Sequence, residues 1–178
     1  MGFLVLFIFS ALPPPQPWYS DRKKFNLFES RSYEMLKAEE GLAAIHTVLK
    51  MPTNHLWFPS ILYVTGIYYK CSNFDTFDTV NKLGKFCSNK EFCYRLVKRA
   101  AKGLTNHDQA YLIGAVEILE NRRTIDFEGL MCGRLGFDEL DRVKRVTRKF
   151  GIRMPDFMKD LRGYRRELDE IAKVNFID

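Results

Sequence analysis

The sequence predicts an all-α protein: an irregular bundle or array of about seven helices, carrying an extended apolar, proline-rich arm at its N-terminus. Three observations predict it. Apolar residues recur at spacings of three and four through most of residues 21–178, the mark of helices with one buried face. Helix punctuation stands between the runs: Ser88 and Thr105 as cap-type residues, and Pro52, Gly103 and Gly151 as stops. No stretch alternates apolar and polar residues as a half-buried strand would.

Residues 1–20 read as one unit and 21–178 as a single helical domain. The run 3–9, FLVLFIF, is too short to span a bilayer. It resembles the core of a signal peptide, with Ser10 and Ala11 near a possible cleavage site, but no basic side chain precedes it. The expectation is a retained arm, with Phe3, Leu4, Leu6 and Phe7 packing on a partner or a lipid surface. A processed signal and a doubtful start codon are the alternatives. Pro13, Pro14, Pro15 and Pro17 then force an extended strut.

From Asp21 the pattern turns helical. Phe25, Phe28, Met35, Leu36, Leu42, Ile45, Val48 and Leu49 form one apolar face, with a break expected near Gly41 and an end at Pro52. The uncharged stretch 56–69, LWFPSILYVTGIYY, is expected to organise the chain. It reads as a buried helix starting near Pro59 or Ser60, proline being tolerated in a first turn. Membrane contact is the rival reading, since Trp57, Phe58, Tyr63 and Tyr68 suit either a headgroup boundary or a protein interface. A shorter helix follows with Phe77, Val80 and Leu83. Ser88 and Glu91 read as a capping box for a helix over 90–102. That helix has Phe92, Leu96 and Val97 on one side and Arg95, Lys98, Arg99 and Lys102 on the other. Residues 109–121 form the next helix, and 127–135 a short glycine-broken element. Residues 137–150 read as one helix, and Phe157, Leu161, Tyr164, Leu168 and Ile171 stripe the last.

A hydrophobic fraction of 46% with 28% charged residues excludes a disordered chain. The net charge is +6, and residues 142–166 alone hold ten cations against two acids. Such a field bears on anionic partners and not on fold. Arg95, Lys98, Arg99, Lys102, Arg142, Arg145, Arg148, Lys149, Arg162, Arg165 and Arg166 are the candidate docking residues. An acidic protein surface, anionic lipid and an RNA backbone are the partners they fit.

Motifs for chemistry are missing. His46, His55 and His107 lie far apart in sequence and pair with no cysteine or carboxylate at metal-site spacing, so no metal or other cofactor is expected. Cys71, Cys87, Cys93 and Cys132 contain no CxxC pair and read as buried thiols. No phosphate loop occurs; Gly129, Gly133 and Gly136 read as helix breaks. Glu39 and Glu40, like Asp138, Glu139 and Asp141, read as solvated helix starts. The expectation is therefore a non-catalytic accessory subunit of a large protein assembly, plausibly at a mitochondrial membrane. An RNA-binding protein and a small enzyme with a spatially assembled site are the alternatives.

Overall fold

A computed structural model describes residues 21, 23–25, 27, 32–72, 75–101, 106–148 and 151–177. The described residues form eight α-helices and two 3-10 turns and contain no strand, so the all-α class is confirmed. The N-terminal arm, with Phe3, Leu4, Leu6 and Phe7, lies outside the described residues, as do Lys102, Thr105 and Lys149.

Helix α1 (Tyr33–Val48) starts where Ser32 accepts the Met35 N–H through its side chain. It has no break at Gly41. The glycine is instead where α1 meets α5 (Asn106–Glu120), in the most extensive contact among the described elements. A Cβ on Gly41 would strike the Gly114 backbone, and one on Gly114 would strike the Lys37 carbonyl. With no side chain at either position, the backbones touch and Leu42, Ile45, Ala115 and Ile118 close into a core with no exposed surface. Lys37 Nζ fastens the crossing, 2.8 Å from both Glu34 and Glu117.

This pair organises the chain; the 56–69 stretch does not. Helix α2 (Trp57–Ser72) begins at Trp57, two residues ahead of the expected start, and buries Leu62 completely. Its other side is open: Trp57, Val64 and Ile67 are exposed. No described helix is long and apolar enough to cross a membrane. Helices α3 (Thr76–Leu83) and α4 (Lys90–Ala101) follow and pack on each other. The α4 cap is Asn89, whose side-chain oxygen accepts the Phe92 N–H, and not the Ser88 expected from the capping-box pattern.

The helix expected over 137–150 is broken into pieces. A short α6 (Phe127–Leu130) leads to a 3-10 turn (Phe137–Glu139), then to α7 (Leu140–Val143). Glu139 was expected at a solvated helix start. It is fully buried, and its Oε2 accepts the Gly136 N–H at 3.1 Å. Thr147 donates both its N–H and its hydroxyl to the Val143 carbonyl, at 2.8 and 2.7 Å, at the end of this segment. Gly151 reverses the chain at φ 75°, a left-handed conformation open to glycine.

A second 3-10 turn (Asp156–Met158) precedes α8 (Leu161–Val174), capped by Asp160. Tyr164, Leu168 and Ile171 are buried as the stripe predicts, whereas Phe157 is 38% exposed. The helix ends in a Schellman turn: Ile177 N–H donates to the Ala172 carbonyl, with Phe176 at φ 57° where glycine is usual. Asn175 clasps the chain ahead of α2, accepting the Leu56 N–H and donating to the Asn54 carbonyl.

Candidate active site

The middle of α1 holds two adjacent carboxylates in an apolar setting. Glu39 and Glu40 are each 2% exposed, which corrects their reading as solvated residues. They lie in the second and third turns of a helix whose neighbours Ala38, Leu42 and Ala43 are all buried. Successive helical residues diverge by about 100°, so the two carboxylates serve different neighbours. Arg134 Nε lies 3.3 Å from Glu39 Oε1. Glu40 turns toward α5 and hydrogen-bonds the Tyr111 hydroxyl.

Tyr111 joins Glu40 to a cation. Burial, then the hydrogen bond and charge of Glu40, push its hydroxyl up to about 12. The phenol therefore stays protonated and remains a donor at neutral pH. The Arg99 guanidinium from α4 stands 5.7 Å over the Tyr111 ring. Arg99 also pairs with Asp108, in the first turn of α5, whose carboxylate is 5% exposed while the Arg99 side chain is 41% exposed. A carboxylate, a phenol and a guanidinium thus run from the interior to the surface. A cavity of about 20 Å³ lies against Tyr111, between Ala44, Val48, Phe58 and His55. That is room for one water molecule.

The residues expected to dock an anionic partner divide. Arg95, Lys98, Arg142, Arg145, Arg148, Arg162 and Arg166 are exposed. Arg99 belongs to the cluster just described. Arg165 is turned inward: it stacks 5.1 Å from the Phe127 ring and donates to the Arg122 and Ile125 carbonyls, bracing the turn after α5. Among the residues expected to pack on a partner, Trp57 stacks on Phe92 at 5.6 Å, Phe58 and Tyr63 are half-buried, and the Tyr68 side chain lies outside the described residues.

Other candidate chemistry is weaker. No three His, Cys, Asp or Glu side chains gather as a metal's ligands among the described residues. Burial, then hydrogen bonding with Cys87, push the Cys93 thiol up, opposite to the direction a nucleophile needs. His46 is enclosed, its Nε2 3.2 Å from the Tyr164 hydroxyl. Met35, Leu36, Leu42, Ala43 and Ala44 are helical neighbours of Glu39 and Glu40 and hint at an apolar surround, but Lys37 shares the face of Glu40, so the sequence alone left the pair readable as solvated. Tyr111 and Arg99 carry no such signal, since their meeting depends on how α4 docks on α5.

No family model matches the chain. Curated proteins do match it. It is 33% identical over 171 residues to the Mus musculus protein named "Putative tyrosine carboxypeptidase MATCAP2", covering 90% of this chain and 32% of that one. The Homo sapiens protein of that name is 32% identical over the same length. The Mus musculus microtubule-associated tyrosine carboxypeptidase 1 is 29% identical over 174 residues, covering 92% of this chain and 36% of that one. The chain thus spans about a third of the length of the curated relatives it matches. These relatives bear the names of enzymes. That overturns the expectation of a non-catalytic accessory subunit, and the mitochondrial setting attached to it gains no support; the alternative of an enzyme with a spatially assembled site is the one the similarity favours.

Proposed function

We propose that this chain acts in hydrolysis of the last peptide bond of polypeptides ending in tyrosine, and that Glu40, Tyr111 and Arg99 serve the reaction. The observation that carries this reading is similarity to tyrosine carboxypeptidases over nine-tenths of the chain. The chemistry of the cluster supports it. Hydrolysis forms a C–O bond from water to the scissile carbonyl and breaks the C–N bond. One proton leaves the water and one reaches the departing amine. Glu40, shielded from solvent, accepts the first proton and returns it to the amine nitrogen. As Glu40 takes up that proton it ceases to hold the Tyr111 O–H, which turns to donate to the oxygen that becomes negative. The partly exposed Arg99 pairs with the terminal carboxylate of the substrate, which restricts cleavage to the last residue.

The test is release of free tyrosine from a peptide with a C-terminal Glu-Tyr, followed by mass spectrometry, with the C-terminally amidated peptide as control. Glu40→Gln is expected to lower kcat about a hundredfold while far-UV circular dichroism stays native. Arg99→Met is expected to act mainly on KM, by about tenfold. Absence of tyrosine release by the wild-type chain, or undiminished release by Glu40→Gln, would overturn the assignment.

A second reading concerns where the activity is delivered. One relative is named microtubule-associated, and most of the expected docking cations are exposed on this chain. We infer that the cationic face docks on the anionic surface of a microtubule. Co-sedimentation with microtubules measures it. Alanine at Arg95, Arg145, Arg162 and Arg166 together is expected to cut the pelleted fraction severalfold, and rising salt to do the same to wild type. Pelleting that is unchanged by both removes this face as the dock.

A further inference from the structure

The open side of α2 forms one wall of a groove of about 600 Å³ whose other wall is α3 and the turn after it. Trp57, Ile61, Val64, Leu83 and Phe86 make its surface almost entirely apolar. The apolar side chains are presented outward: Trp57 is 50% exposed, Val64 60% and Phe86 81%. A volume of this size is that of a binding site, not of a packing defect. The groove also has a polar signature. Thr65, 1% exposed, lines it with a hydroxyl that has no hydrogen-bond partner among the described residues. The charged residues at its edge, Lys82 and Lys85, are both cations, and no acid lines it among the described residues.

We propose that this groove docks an acidic polypeptide segment through one aromatic side chain. The ring would fill the space between Val64, Ile61 and Phe86, where aromatic surface leaves water on both partners. Carboxylates beside it in the segment would face Lys85. Thr65 lies where it can bond the segment's backbone, relieving a buried hydroxyl that otherwise costs stability. A bare hydrocarbon ligand would make no use of Lys85 or of the Thr65 hydroxyl. A basic segment would meet only like charge. The occupant is therefore apolar and acidic together. The groove is separate from the Glu40 cluster, so this docking does not depend on the hydrolytic reading.

The experiment is fluorescence anisotropy of the full-length chain with a short, labelled peptide of glutamate and glycine carrying one central phenylalanine. Its C-terminus is amidated, so it cannot be a carboxypeptidase substrate and the two proposals fail independently. Saturable binding is expected. Val64→Glu, at an exposed position that the fold tolerates, is expected to weaken it about tenfold or more, and Lys85→Glu severalfold. Replacing the peptide's phenylalanine by alanine should weaken binding as much as Val64→Glu does. Any of five results overturns the proposal. The first is equal binding by wild type and Val64→Glu. The second is equal binding of the alanine peptide. The third is binding that appears only when residues 1–20 are removed, which would make the chain's own arm the occupant. The fourth is a dimer that Val64→Glu dissociates, which would make a second copy the occupant. Anionic vesicles that bind the groove in preference to the peptide would transfer it to a membrane surface and overturn the proposal equally.

Discussion

Gly114→Ala is expected to destabilise this protein by about 3 kcal/mol, the upper range for overpacking a core. The usual rule runs the other way. Alanine in a helix interior is favoured over glycine by roughly 1 kcal/mol, so the change would ordinarily stabilise α5. Here the new methyl group meets the Lys37 carbonyl and the Gly41 Cα. Neither is the end of a flexible side chain, so neither can turn away. The two helices must part along their contact, and the layer of Leu42, Ile45, Ala115 and Ile118 opens with them. Loss of that packing outweighs the gain in propensity. Urea unfolding followed by circular dichroism measures it, and a thermal midpoint lowered by roughly 6–12 °C is the corresponding observable. Gly84→Ala is the control. Gly84 is exposed at the end of α3 with ordinary right-handed φ, and a Cβ there comes no nearer than 3.3 Å to its neighbours. It should change stability by about 0.5 kcal/mol or less. Equal, small effects at the two glycines would mean that the helices are not held at backbone contact.

The same crossing explains what the sequence could and could not convey. Periodicity recovers an amphipathic helix wherever one face is apolar, as for α8, where Tyr164, Leu168 and Ile171 are buried where the stripe puts them. It fails for a helix enclosed on most sides. In α1 nearly every position from Met35 to Val48 is buried, so Gly41 looks like a breaker and Glu39–Glu40 like an exposed polar pair. Gly41 and Glu40 owe their burial to α5, which is more than sixty residues away in the chain, and Glu39 meets Arg134, which is farther still. Conversely, the uncharged 56–69 stretch looked more deeply buried than it is. A run of apolar residues reports the affinity of a segment for a partner, and Val64 and Ile67 show that the partner need not lie among the described residues. The cations were legible as charge but not as role. Arg165 and Arg99 are spaced like their exposed neighbours, and their partners, the Arg122 and Ile125 carbonyls for one and Asp108 for the other, set them apart from the exposed cations. The proposed Glu40, Tyr111 and Arg99 cluster left no motif because its three groups come from α1, α5 and α4, and nothing local links them.

Acid should begin to destabilise the protein well above the pH at which carboxylates titrate, because of His46. Burial, with the nearby charge of Lys50 second, holds this imidazole down to about 3 from an ordinary value of 6.5. Its ring lies 4.2 Å from that of Phe157, and its Nδ1 has no hydrogen-bond partner among the described residues. An imidazolium there would be a charge without water. The folded state therefore excludes a proton that the unfolded state binds below pH 6.5. Stability is complete above that pH and is lost as pH falls toward 3, by about 1.4 kcal/mol per unit. The loss at pH 5 is about 2 kcal/mol, and at pH 4 about 3.4 kcal/mol. The upper part of this window belongs to His46. Asp156, Asp160 and Asp169 have carboxyls held below their ordinary value of 3.8, so what they contribute is lost only as pH falls below about 4.5. Urea unfolding free energies from pH 7.5 to 5.0 test the claim. His46→Gln keeps an atom able to hydrogen-bond the Tyr164 hydroxyl and has nothing to titrate. It is expected to lose some stability at neutral pH through poorer packing, yet to show almost no slope down to pH 5. Wild type should fall by about 2 kcal/mol over the same range. If the two proteins fall in parallel, the acid sensitivity lies elsewhere and His46 is protonated without opening the core. If only wild type falls, the cost of enclosing one histidine beside Tyr164 sets the acid limit of the fold.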